Sequence, residues 1–114
     1  MFFIQSDITV ESGLLLPDIA REISKALNIP SMVIDESGRY EGVNVYTTTC
    51  FGLEFTLGRT AEDPKRTYHL VISSDVDAFD YDGSEKDVDA TKYALLLLSK
   101  AGVNAYPRDT KLLY

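Results

Sequence analysis

The N-terminal part of the chain changes from a repeat of two residues to a repeat of four. Apolar residues of one parity in the first ten positions predict a strand buried on one face: Phe2, Ile4, Ile8 and Val10. Gly13 ends this pattern, and Pro17 suits the first turn of a helix. Apolar residues then recur at four-residue spacing, as in an amphipathic helix: Ile19, Ile23 and Leu27. Asn28 and Pro30 end this helix, which we expect to lie on a sheet.

Four segments in the middle of the chain have the composition or the alternation of strands: residues 31–35, 40–49, 51–57 and 68–73. No turn residue separates Thr49 from Phe51, so the second and third segments form either one long bent strand or two strands joined by a bulge. The polar residues 59–66 predict a hairpin loop. The apolar run Leu70-Val71-Ile72 indicates a central strand that is buried on both faces.

The C-terminal third of the chain predicts a second helix and one more short strand. Ser84 can cap a helix with Asp87 at its third position, close to a capping box, and Gly102 suits the end of that helix. The leucine run at 95–98 indicates that the helix is largely buried, and residues 103–106 can add a last strand. The predicted fold is α+β, a mostly antiparallel sheet of five or six strands with two helices on one face, in the order β-α-β-β-β-β-α-(β). With 114 residues, we expect a single domain over 1–114.

The chain contains one cysteine, Cys50, and one histidine, His69. A single cysteine permits no internal disulfide, and the two residues leave too few ligands for a Cys/His zinc site. No apolar run is long enough to span a membrane, and the N-terminus lacks the basic residues of a secretory signal. These features fit a reducing compartment, so we expect a cytoplasmic protein without a cofactor.

Acidic residues are concentrated in one stretch of the chain, residues 75–89, which we name the acidic segment. The sequence has 18 Asp and Glu against 11 Lys and Arg, a net charge of −7. The acidic segment contains seven of the acids and one base, Lys86, so it carries −6 and the rest of the chain −1. A local patch of this kind is typical of a binding surface for a basic partner. It opposes binding to nucleic acid, whose phosphates attract basic surfaces.

Two aromatic residues, Phe79 and Tyr81, interrupt the acidic segment. Glu85, Asp87 and Asp89 fit the N-terminal end of the predicted helix, where negative charge is stabilising. The acids that precede the helix repel one another and have no such structural explanation. Exposed aromatic residues beside charges are common at the energetically important centres of interfaces. We therefore predict a partner-binding surface formed by seven residues: Asp75, Asp77, Phe79, Asp80, Tyr81, Asp82 and Glu85.

Two other classes of protein are alternative hypotheses. The first is a small metal- or ligand-binding domain or enzyme that uses the acidic segment. A calcium loop with Gly83 at its sixth position places three acids at ligand positions, Asp80, Asp82 and Asp89. Its first position is then Ala78, which offers no ligand oxygen. The second is a structural or adaptor subunit that oligomerises through the leucine-rich second helix.

The sequence contains no catalytic set that its spacing selects. Cys50 and His69 could form a nucleophile and base, but no third group orients them. Nothing selects one pair among the 18 acids for acid–base chemistry, and the scattered glycines do not form a phosphate-binding loop. We therefore expect a binding protein and not an enzyme.

These features resemble the immunity proteins of bacterial polymorphic toxin systems, including those of contact-dependent growth inhibition. The likeness rests on a compact α+β domain without a catalytic set and on the run Asp75-Val76-Asp77-Ala78-Phe79-Asp80-Tyr81-Asp82. The resemblance implies an intracellular inhibitor that neutralises a basic, nuclease-like toxin domain. Carboxylates would bind the Lys and Arg side chains that bind phosphates in a nuclease. Complementary charge would accelerate association with the toxin.

Overall fold

The structure, a computed structural model, describes residues 2–36, 44–59, 67–74, 86–88 and 90–108, with the backbone alone at 2–4 and 86–88. The elements in chain order are β1 (Phe2–Glu11), α1 (Leu16–Leu27), β2 (Val33–Ile34), β3 (Val45–Cys50), β4 (Leu53–Arg59), β5 (Thr67–Ser74), β6 (Lys86–Val88), α2 (Thr91–Lys100) and β7 (Asn104–Pro107). Within these ranges no helix is long and apolar enough to cross a membrane.

The strands form one mostly antiparallel sheet. Its order is β2-β3-β4-β5-β1-β6, and β7 also pairs with β1. The β1–β6 pair is parallel, and every other pairing is antiparallel. β6 pairs with residues 2–4 of β1 and β7 with residues 8–11, so residues 5–7 lie between these two pairings. The predicted α+β class is confirmed, with one strand more than the upper predicted number.

The hydrophobic core lies between one face of the sheet and both helices, as predicted. In β1 the alternation buries Ile8 and Val10 and leaves the odd-numbered neighbours half-buried on the other face. The largest fully buried side chains come from α1, α2 and three strands: Ile8, Val10, Ile19, Ile23, Leu57, Tyr68, Leu70 and Leu98. β5 is central in the sheet, but the prediction that it is buried on both faces is wrong, because Val71 is only half-buried between Leu70 and Ile72.

Helix α1 begins and ends where the sequence predicts. Pro17 lies in its first turn, and Asn28 ends it in the left-handed conformation, with φ of 55°. Ser24 then links the helix to the segment that follows it. Its Oγ donates to the carbonyl of Ala20 at 2.8 Å and accepts from the backbone N–H of Met32 at 3.1 Å.

Two strands joined by a tight turn replace the long bent or bulged strand that the sequence predicts over residues 40–57. β3 and β4 form a hairpin in which Cys50 lies opposite Leu53, so Phe51 and Gly52 alone make the turn. Both have positive φ, 53° and 74°, which is typical of a two-residue hairpin loop. β4 and β5 are antiparallel neighbours, as the hairpin loop predicted at 59–66 requires, although residues 60–66 lie outside the described ranges.

The prediction that Ser84 begins the second helix is wrong, because α2 begins only at Thr91. Residues 86–88 form a strand instead, opposite Phe2–Ile4 of β1. The local capping pattern is overridden by this pairing, which gives the backbone of residues 86–88 hydrogen-bonding partners in the sheet. The predicted last strand is present as β7, at Asn104–Pro107.

Candidate functional site

The seven residues predicted to bind a partner all lie outside the described residues: Asp75, Asp77, Phe79, Asp80, Tyr81, Asp82 and Glu85. Asp89 is outside as well, and only the backbone of Asp87 is described. The predicted surface and the calcium alternative therefore stay predictions. The geometry of the candidate site is defined by the described residues on either side of it.

The described residues that flank 75–85, Ser74 and Lys86, lie at the same end of the sheet. Ser74, the last residue of β5, lies opposite Leu53 of β4. Lys86, the first residue of β6, lies opposite Phe2 at the beginning of β1. Ser73 pairs with Gln5, so Ser74 and Lys86 are within a few residues of the same level along β1. Adjacent strands are about 5 Å apart, so Ser74 is one strand from β4 and its turn, whereas Lys86 in β6 is about 10 Å from β5 and about 15 Å from β4.

Phe51, in that turn, is fully exposed. Its side chain has 100% of its reference accessible area, whereas Leu53, two residues on, is half-buried against the core. A two-residue turn with both φ values positive favours Asn-Gly, because asparagine tolerates the left-handed region. A phenylalanine there has a backbone cost of roughly 1–2 kcal/mol. It gains no burial in return.

The sequence contained one signal for this turn that the strand alternation hid. Gly52 follows Phe51 directly, and a glycine between two β-rich segments can mark a break in the strand. Phe51 has the same parity as Leu53, Phe55 and Leu57. Because of this shared parity, the pattern predicts Phe51 as the first residue of the following strand.

A polar cluster lies on the face of the sheet that α1 and α2 do not cover. The Nε2 atom of His69 in β5 is 3.3 Å from Oδ1 of Asp7 in β1. Nη1 of Arg108, just after β7, is 3.0 Å from both ring nitrogens of His69. Burial lowers the pKa of His69 below 6.5, the Arg108 charge lowers it further, and Asp7 partly opposes both. Near neutral pH the imidazole is therefore uncharged, and the cluster connects three strands of the sheet.

A catalytic pair of Cys50 and His69, which the sequence did not favour, is excluded by the register. His69 lies opposite Gly58, and Gly58 lies opposite Val45, five residues from Cys50 along β3. That offset corresponds to about 17 Å. Among the described residues, no group of three or more His, Cys, Asp or Glu side chains could hold a metal ion.

Comparison with protein-family models, with curated protein sequences and with solved structures gives no match to this chain.

Proposed function

We propose that the protein is a protein-binding inhibitor of the immunity type, which neutralises a basic, nuclease-like toxin domain inside the cell that produces it. The observation that carries the proposal is the fully exposed Phe51, held in an unfavourable backbone conformation at the end of the sheet where the acidic segment begins. A residue that lowers stability and buries nothing is explained if its side chain is buried in a complex. Backbone strain of this kind is concentrated at functional sites.

The charge distribution supports a basic partner. The acidic segment carries −6 of the net charge of −7, and the described residues that flank 75–85 are at the same end of the sheet as Phe51. Glu54 adds a carboxylate close to this end, opposite Ser73. A concentrated field of one sign accelerates the encounter with an oppositely charged surface and rejects partners of like charge.

The aromatic residues supply the affinity that exposed charges lack. Exposed ion pairs contribute little, about 0–1 kcal/mol each, because water and salt screen them. Burying a phenylalanine side chain contributes about 1.5–3 kcal/mol. Phe51 is such an anchor in the proposed interface, and Phe79 and Tyr81 of the acidic segment are further candidates. In the proposed interface the acids accelerate association with the partner, and burial of Phe51 contributes affinity.

Affinity capture from the cell that produces the protein tests this proposal. The wild type is compared with Phe51→Asn and with a triple variant in which Asp77, Asp80 and Asp82 become asparagine. We expect the wild type to capture a stoichiometric basic protein and to protect cells that express that protein's toxic domain. Both variants should capture less of it.

A matched control removes three acids at positions away from the Phe51 turn: Asp18→Asn, Glu22→Gln and Glu36→Gln. Asp18 and Glu22 lie in α1, and Glu36 follows β2. This control should capture the partner as the wild type does. Equal loss in the control, or capture of a partner that is not basic, contradicts the proposal.

A further inference from the structure

A pocket of about 140 Å³ opens between the sheet and the ends of both helices. Leu53 and Phe55 of β4 and Ile72 of β5 form its floor, on the face of the sheet that the helices cover. The end of α1 and the first two turns of α2 form its walls. Phe55 and Ile72 are core residues, so the pocket reaches from the surface into the hydrophobic core.

The lining of this pocket is apolar. Among the described residues that line it, none is charged, and Tyr93 alone has a polar side-chain atom. Tyr93 is 68% exposed, so it lies at the rim. A charged group in the pocket would lose its water without gaining a partner, which is strongly unfavourable. The pocket therefore selects an uncharged, apolar group.

Two alanines leave this space open on the α2 side. Ala90 precedes the helix, Ala94 lies one turn further on, and both line the pocket. Leucine forms helices nearly as well as alanine, so the helix itself does not require a small residue at position 94. An empty apolar space is unfavourable, because the atoms around it lose contacts and water finds no hydrogen-bonding partners there. An apolar group from outside the chain would restore those contacts.

The volume of the pocket and its two aromatic side chains indicate which apolar group fits. An apolar cavity of about 150 Å³ is large enough for one benzene ring. Phe55 in the floor and Tyr93 at the rim both line the space that such a ring would occupy. Edge-to-face or offset-stacked contacts with aromatic side chains add to the free energy of burial. A single aromatic ring therefore matches the pocket in size and in chemistry.

We infer that this pocket binds one uncharged aromatic ring. The ring of a free small molecule and the ring of a phenylalanine side chain offer the same chemistry, so both are sources of the ligand. The pocket is at the same end of the sheet as Phe51, since Leu53 follows that turn directly. The inference nevertheless does not depend on the proposed function, because it rests on the volume and the lining of the pocket.

The test is titration of the full chain with benzene, followed by calorimetry and by the midpoint of thermal unfolding. Benzoate is the charged comparison. N-acetylphenylalaninamide presents the same ring on a peptide unit, with N-acetylalaninamide as its blank. We expect benzene to bind and to raise the midpoint, while benzoate and N-acetylalaninamide have little effect. Binding of N-acetylphenylalaninamide in addition to benzene identifies a side chain as the source of the ring, and binding of benzene alone identifies a free small molecule.

Variants that fill the pocket locate the binding. Ala90→Leu and Ala94→Leu should each weaken benzene binding by about ten-fold or more, the usual effect of a change of one methylene group or more in an apolar pocket. Ala101→Leu adds the same side chain at the exposed, other end of α2 and should leave binding unchanged. Without benzene, Ala90→Leu should unfold at the midpoint of the wild type or above it, because it fills an empty space.

Phe79 and Tyr81 lie outside the described residues, so they enter the test as variants. Phe79→Ala and Tyr81→Ala should bind benzene as the wild type does. Three results overturn the inference: no binding of benzene by the wild type, equal loss of binding in Ala94→Leu and Ala101→Leu, or binding that appears only after Phe79 or Tyr81 is replaced.

Discussion

Replacing Phe51 by asparagine should stabilise the protein while weakening its binding to the partner. The side chain of Phe51 is fully exposed, so removing the ring loses no burial. Its φ of 53° lies in the left-handed region, which costs most residues roughly 1–2 kcal/mol but which asparagine tolerates. We therefore expect Phe51→Asn to raise the free energy of unfolding by about 1 kcal/mol. For a domain of this size that corresponds to about 4 °C in the unfolding midpoint.

The assay is reversible unfolding in urea and by heat, with two further variants on the same turn. Phe51→Ala removes the ring but keeps the backbone cost, so its stability should stay close to that of the wild type. Gly52→Ala should lower stability by about 1 kcal/mol, because Gly52 has φ of 74° and alanine does not adopt that conformation freely. The expected free energy of unfolding is highest for Phe51→Asn, similar for the wild type and Phe51→Ala, and lowest for Gly52→Ala. This order distinguishes an effect of backbone strain from one of side-chain packing.

Loss of stability in both Phe51→Asn and Phe51→Ala would refute this reasoning, because it would show that the ring packs against the folded chain. If Phe51→Asn were more stable and also bound the partner as tightly as the wild type, the turn would be strained without a role in binding. The expected combination, higher stability with weaker binding, is the usual relation between a functional residue and the stability it lowers.

Three other predictions concern the described fold. Burial and Arg108 lower the pKa of His69 in the folded chain, so the unfolded chain binds the proton more readily. The free energy of unfolding should therefore fall as the pH drops below 6.5 and level off below the folded-state pKa. Urea unfolding of His69→Gln at several pH values should lack this dependence. Ser24→Ala should lower the free energy of unfolding by about 1–3 kcal/mol, because the N–H of buried Met32 loses its acceptor, and solvent exchange at that N–H should become faster. Leu98→Ala should lower the free energy of unfolding by about 2–5 kcal/mol, since Leu98 is fully buried. Leu96, on the same helix, is 52% exposed, so Leu96→Ala should lower it much less. Equal losses of stability would show that α2 is packed differently.

The elements that the sequence predicted best are those in which one periodicity decides which side is buried. In β1 the apolar parity at Ile8 and Val10 matches their burial, and in α1 the spacing of Ile19 and Ile23 does the same. These patterns are local in the chain and strongly coupled to the core. They were sufficient to predict the α+β class and the position of both helices on one face.

The errors come from strand pairings that the local pattern of residues does not report. The turn at Phe51 depends on Cys50 pairing with Leu53, and phenylalanine is not a residue that favours turns. Residues 86–88 form a strand because the beginning of β1 offers them a partner more than 80 positions away in the sequence. The capping pattern at Ser84 cannot report that partner.

One part of the candidate site could likewise be predicted from the sequence, and another part could not. The concentration of negative charge in the acidic segment is a property of the sequence and needed no structure. The structure was needed to identify Phe51 as an exposed residue at the end of the sheet where that segment begins.

The most direct test of the central claim is the salt dependence of binding between this protein and the basic partner obtained by capture. Affinity is measured at ionic strengths of about 0.01 M and about 0.15 M, between which the screening length falls from about 30 Å to about 8 Å. The proposed function predicts that the wild type binds much more weakly at the higher salt and that neutralising Asp77, Asp80 and Asp82 removes most of this difference. An affinity that is independent of salt, or a neutralised variant that binds as the wild type does, would contradict it.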